Sequence, residues 1–294
     1  MVLAKRRHQS PWATELNDIV RGACGGFLFG IPLLYTMEVW WIGSMAQPPK
    51  IMMAIAGTFV AVFWLNRTEG FRKKRRLRPY EAFTDTVEAM AIGLVCSAFV
   101  LLLLRELTFD VPLRETLGKV IFEAVPFALG VALAGQFLGD TRDAEPPAPD
   151  ERSQAKVDAA DSLNATLADI GATLIGAIVI GFNISPTDEI PMLAAAVSPP
   201  WLLGIIGASL LISYGIVFEA GFSDQRKRRQ QQGIFQRPLS ETVMSYLVSL
   251  AAAVMMLWFF QRLTLSDPWT MWLEQTLLLG LPATIGGAAG RLAI

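Results

Sequence analysis

Histidine is almost absent from this chain. Its one copy, His8, sits in a basic N-terminal arm, and the two cysteines, Cys24 and Cys96, lie inside apolar runs. A His-based zinc or haem site, or a Ser-His-Asp triad, has no histidine in the apolar body to use. Neither a disulfide framework nor a thiolate metal site is indicated. Charge is scarce as well, at 17% of residues, where soluble domains carry about 25%. The net charge of −1 points to no acidic or basic partner. Glycine-rich stretches fall inside apolar runs rather than after a strand, so they are not phosphate loops. With no activated nucleophile and no metal-ligand cluster, the chain is not expected to be an enzyme, nor to hold a metal or cofactor.

What the chain has in plenty is apolar length: 53% of its 294 residues are hydrophobic. Eight segments reach the roughly 20 residues that cross a bilayer, at 17–38, 51–68, 83–105, 117–138, 166–184, 201–220, 241–261 and 273–292. Hydrocarbon cannot satisfy backbone N–H and C=O groups, so such segments are helices. Strict two-residue alternation is missing, which argues against a barrel. The expected fold is an all-α integral membrane protein. Lys5, Arg6 and Arg7 precede the first run as they would in a signal peptide. The same run recurs at 164–184, where nothing can be cleaved as a leader, so it reads as a retained span.

The two halves echo one another. At a constant offset of 151 positions, Asp18-Ile19 aligns with Asp169-Ile170, Gly30 with Gly181, Thr36 with Thr187, Glu38 with Glu189, and Pro48-Pro49 with Pro199-Pro200. Beyond the basic loop the offset becomes 156, aligning Thr86-Val87 with Thr242-Val243, Pro112 with Pro268, Pro126 with Pro282, and Gly130 with Gly286. Each half holds four spans, an even number, so both enter from the same side as parallel repeats. The expected organisation is a first repeat at 1–139, a flexible acidic linker at 140–163 and a second repeat at 164–294. The linker (DTRDAEPPAPDERSQ) holds too little apolar surface to order itself.

Lysine and arginine gather in two loops. One carries Arg72, Lys73, Lys74, Arg75 and Arg76; the other carries Arg226, Lys227, Arg228 and Arg229. The positive-inside rule places these loops, both termini and the linker in the cytoplasm. The same cations are candidates for holding anionic lipid head groups. No aromatic-interleaved module accompanies them, so nucleic acid is not an expected partner. Trp40, Trp41, Trp201, Trp269 and Trp272 fall at the opposite ends, as an aromatic belt would.

The chemistry centres on Gly181–Pro191, GFNISPTDEIP, and its first-half echo GIPLLYTMEV. Pro32 and Pro186 each remove a backbone donor and should kink or end a helix. Ser185 is placed to cap a short new helix with Asp188 and Glu189 in its first turn, and IPMLAAAVS is too short to cross alone. On one reading Glu38, Glu189 and Asp188, supported by the Thr36 and Thr187 hydroxyls, line a path for small cations or protons. On the other, acids in a first turn simply complement the helix dipole. Glu123 lies within an apolar run three residues before Pro126 and is a candidate deeper relay. Asp85 and Glu241 read as dipole partners at helix starts. Gly22, Gly26 and Gly30, echoed by Thr173, Ala177 and Gly181, form small-residue faces. They predict that the first and fifth spans meet and bring Glu38 to Glu189.

With its duplicated spans, its GFNISPTDEIP stretch and its paired basic loops, the chain resembles the uncharacterised bacterial families of multi-pass integral membrane proteins. The resemblance covers nearly the whole chain, implies an inner-membrane location, and brings no catalytic residues. Two functions are expected: a cation or proton channel or transporter with a carboxylate-lined path between the repeats, or a non-transporting scaffold or sensor that docks lipid or a cytoplasmic partner. Self-association is left open.

Overall fold

The computed structural model describes residues 11–68, 79–137, 159–219 and 238–292. Among the described residues ten α-helices run α1 (Pro11–Leu34), α2 (Glu38–Ser44), α3 (Pro48–Thr68), α4 (Pro79–Leu103), α5 (Leu113–Phe137), α6 (Ala159–Ile184), α7 (Glu189–Ala196), α8 (Pro199–Tyr214), α9 (Pro238–Phe259) and α10 (Trp269–Leu292). A π-helical turn, Gly215–Glu219, continues α8. No strand occurs among the described residues.

Local chemistry sets the ends. Helices α1, α3, α4, α8 and α9 all begin on proline, whose fixed φ suits a helix start and whose missing N–H would have no helical partner there. Helices α4 and α9 close in the same way. Arg105 (φ 62°) and Gln261 (φ 58°) turn left-handed. The next amides then reach back: Glu106 N–H donates to Leu101 O and Arg262 N–H to Leu257 O, both at 2.9 Å. This six-to-one closure satisfies carbonyls that a helix end leaves open.

Six of these helices are long and apolar enough to cross a membrane: Pro48–Arg67, Tyr80–Leu103, Leu113–Ala134, Thr166–Ile184, Pro199–Phe218 and Pro238–Phe259. A seventh crossing results if α1 and α2, bent by 85° at their junction, count as one span. Each of the eight expected segments coincides, over most of its described residues, with a helix, although the first is interrupted at 35–37. The last, α10, is not apolar enough to count as a crossing by composition. Its surroundings give the reason: every residue from Gln275 to Ala288 is buried by the chain itself. A helix enclosed by protein has no lipid to satisfy, so glycine, threonine and glutamine are tolerated. Helix α3 is the opposite case, with 11% of its most apolar window buried.

Two central helices organise the packing. Helix α5 is embraced by α1, α2, α3 and α4; helix α10 is embraced by α6, α7, α8 and α9. The glycine faces explain which neighbours approach closest. A Cβ on Gly25 would lie 2.5 Å from Gly130 O, and one on Gly26 3.2 Å from Val131, both on α5. Gly176 of α6 meets Gly286 and Gly290 of α10 in the same manner. The expectation that the first and fifth spans meet through these faces is therefore corrected. Their small residues are occupied by α5 and α10, and α1 and α6 share no substantial contact.

The two bundles join through other groups. Helix α1 packs on the π-turn and on α10, and α4 touches α8. The Tyr35 hydroxyl donates to Leu278 O at 2.9 Å, and the Trp201 indole N–H donates to Leu103 O. The Leu278 carbonyl is open because the residue four positions on, Pro282, has no N–H to give it.

A candidate ion site beneath the broken helix

Helix α5 carries a stripe at four-residue spacing: Glu115, Lys119, Glu123, then Phe127 and Val131. Residues four apart share a helix face, so this face changes from charged to apolar along its length. Lys119 is buried, and its ammonium is held on several sides. It lies 3.2 Å from a Glu115 carboxylate oxygen and 3.4 Å from Glu106 Oε2. It also donates to Glu106 O at 3.2 Å and stands 5.3 Å from the centre of the Trp40 ring. Glu106 belongs to the turn after α4. Burial raises its carboxyl pKa above the ordinary value, against the opposing pull of Lys119.

Glu123, one turn further along α5, is fully buried. The backbone N–H of Trp40 turns toward it, but neither carboxyl oxygen reaches a partner in hydrogen-bond geometry. Trp40 is the third residue of α2, so its N–H is among the donors that a helix start leaves without a helical acceptor. The break between α1 and α2 thus aims a free backbone donor at a buried acid. Gly43 and Gly118 set the distance, since a Cβ on Gly43 would lie 2.7 Å from Gly118 O.

The two echoed corners share one local geometry. Thr36 Oγ1 donates to Leu33 O and Thr187 Oγ1 to Ile184 O, each at 2.5–2.6 Å. Glu38 is exposed; Glu189 is half-buried, with its Oε2 enclosed and without a hydrogen-bond partner. The structure does not bring these carboxylates together: α2 packs on α5 and α7 on α10, with no substantial contact between α2 and α7. Asp188 is exposed but engaged, 2.6 Å from Arg262 Nη1, while Arg262 Nη2 donates to Pro186 O. Helix α7 begins at Glu189, and Asp188 stands at its cap position without a side-chain cap bond. Ser185, expected as the cap, is buried with its hydroxyl unpaired.

Other expectations need correction or lie out of view. Trp40 does not join an outer aromatic belt; it is buried under Lys119. Glu241 is no solvated dipole partner, because Arg291, itself fully buried, forms an ion pair with it. The Arg291 guanidinium stands 6.0 Å from the Phe218 ring centre. Arg72, Lys73, Lys74, Arg75, Arg76, Arg226, Lys227, Arg228 and Arg229 lie outside the described residues, as does most of the linker.

Sequence reasoning singled out Glu123 but missed Lys119, Glu106 and Glu115. The i, i+4, i+8 spacing of Glu115, Lys119 and Glu123 was a usable signal; the return of Glu106 was not, since it depends on the turn after α4. A concavity of about 620 Å³ lies between α6 and α10 and is lined by Gly171, Gly176, Ile175, Val179 and Gly290. It is apolar, so it offers an ion nothing.

Neither curated proteins nor solved structures yield a match to this chain. A family model does match: residues 18–294 fit the family described as "Putative integral membrane protein (DUF2391)". That match spans nearly the whole sequence and agrees with the apolar helices seen here. The chain therefore belongs to this family of integral membrane proteins.

Proposed function

We propose that the protein is a non-enzymatic cation or proton channel or transporter of a bacterial-type inner membrane. The observation that carries this reading is Glu123, a fully buried acid with unpaired oxygens inside an apolar span. An ionisable group at membrane depth is costly, by about 2.5–3.5 kcal/mol on insertion scales, and such groups commonly mark ion or proton routes. The broken helix beside it is the backbone arrangement that transporters use at their sites. In this reading the route begins at the end carrying Glu38, with the Thr36 hydroxyl holding the corner.

The reading also includes eight crossings arranged as two parallel four-span repeats, with both termini and the basic loops cytoplasmic. Matched helix closures at Arg105 and Gln261, and matched threonine bonds at Thr36 and Thr187, support the duplication. The polar stripe itself is not duplicated. At the repeat offset, Lys119 and Glu123 correspond to Gln275 and Leu279, which favours a route through the first bundle over one along the seam.

The test is flux. The full chain is reconstituted in liposomes, gradients of protons and of monovalent and divalent cations are imposed, and flux is compared with that of Glu123→Gln. Ion movement that falls at least tenfold in the variant is expected. Wild-type flux in Glu123→Gln would remove this residue from the path.

A further inference from the structure

We propose that Glu123 is a single-proton exchange site, closed to metal cations by Lys119 and reached only from the end of the bundle where α2 lies. This names the ion that Glu123 takes up in the reading above and rests on that reading for its flux measurement alone.

Three observations lead there. First, the carboxyl is fully buried and unpaired. An isolated carboxylate in a low-dielectric interior is strongly disfavoured unless it is paired, coordinates a metal or takes up a proton. Second, a metal is poorly served. Hard cations take six or more oxygen ligands, whereas the group facing Glu123 is the Trp40 N–H, a donor. Lys119 stands one turn away with its positive charge. No cluster of three or more metal-ligating side chains exists among the described residues.

Third, access is one-sided. From Glu123 toward the α2 end the stripe passes Lys119 to Glu115, whose side chain is 37% exposed. In the other direction the next positions on that face are Phe127 and Val131, both fully buried. Phe127 fills the space a side chain on Gly30 would take and stacks edge-on with Phe27, centroids 6.2 Å apart. That aromatic plug holds no polar group to pass a proton onward.

The charged residues of the helices packed on α5 lie toward their starts: Glu15, Asp18 and Arg21 on α1, and Glu81, Asp85 and Glu88 on α4. Helix α1 brings Tyr35, whose hydroxyl is given to Leu278 O. Helix α2 brings the exposed Glu38, and α3 carries Lys50 and Arg67 at its ends. Helix α4 brings Cys96, beside Ser97, whose hydroxyl donates to Val120 O at 3.2 Å. The exchange is simple: the carboxylate takes a proton from a hydronium ion, forming one O–H bond and leaving water, and releases it by the reverse step. No other charge needs to move.

The experiment pairs infrared spectroscopy with flux on the full chain in liposomes. A protonated-carboxyl band that shifts in D2O and titrates with pH is expected in the wild type and absent in Glu123→Gln. Removing the nearby cation should raise the midpoint, so Lys119→Gln should shift it up by about one pH unit. That variant keeps Glu123 and so tests the site even where Glu123→Gln fails to fold. Absence of a titrating band in the wild type, or its persistence in Glu123→Gln, overturns the proposal. Metal-cation flux that depends on Glu123 without proton flux also overturns it, while leaving the transport reading intact. A Glu123-dependent titration with no flux of any ion supports the proton site and overturns transport.

Discussion

Replacing Tyr35 by phenylalanine should weaken the seam between the bundles by an amount that depends on a proline in the other bundle. The hydroxyl donates to Leu278 O at 2.9 Å, and both residues are buried. Pro282 cannot supply the helical N–H that this carbonyl would otherwise receive. Tyr35→Phe therefore leaves a buried acceptor open. In soluble proteins this costs about 1–3 kcal/mol, and between membrane helices the average hydrogen bond contributes about 0.6 kcal/mol. A loss of about 1 kcal/mol is expected from both figures. In Pro282→Ala the new amide at position 282 takes the Leu278 carbonyl, and Tyr35→Phe should then cost far less. A double-mutant cycle, read by unfolding in mixed micelles, isolates the coupling from the proline's own effect on the helix. If Tyr35→Phe costs the same in both backgrounds, within about 0.3 kcal/mol, the carbonyl was not waiting for the tyrosine.

Three further outcomes follow from the charges. Glu241→Gln removes the charge that Glu241 sets against the buried Arg291 cation, and should cost up to about 3–5 kcal/mol in the same unfolding assay; the Glu241→Leu, Arg291→Met double variant should recover most of that. Asp188→Asn breaks an exposed pair with Arg262; a change of about 0–1 kcal/mol, vanishing in high salt, is expected from unfolding at two ionic strengths. Glu106 has a folded-state pKa raised by burial above its ordinary 4.5, so the folded chain holds that proton more tightly than the unfolded one. Its contribution is full below pH 4.5 and declines as pH rises through the raised value; Glu106→Gln should flatten that decline in a pH series of unfolding free energies.

The apolar runs and their prolines made the helices legible, because segment length against bilayer thickness and proline at a helix start are local rules. The break in the second half was visible for the same reason: Asn183-Ile184-Ser185-Pro186 cannot continue a helix. Its first-half counterpart was half-seen. Pro32 predicted a kink, but the first span was drawn unbroken to 38 and the separate short helix α2 beyond it was not foreseen. Local sequence could not show that Gly43 and Gly118 would let α2 lie back against α5.

What the sequence by itself determined was class and inventory: an α-helical membrane protein, its span segments, its echoed corners, and one carboxylate set within an apolar run. Tertiary structure alone decided who meets whom. Small-residue faces announce close approach but carry no address, so α1 went to α5 rather than to α6, and Glu38 and Glu189 were kept on separate helix pairs. Ion pairs such as Lys119 with Glu106, and Arg291 with Glu241, join residues from different elements. Their formation follows from which helix faces end up opposed, and packing of whole surfaces fixes that.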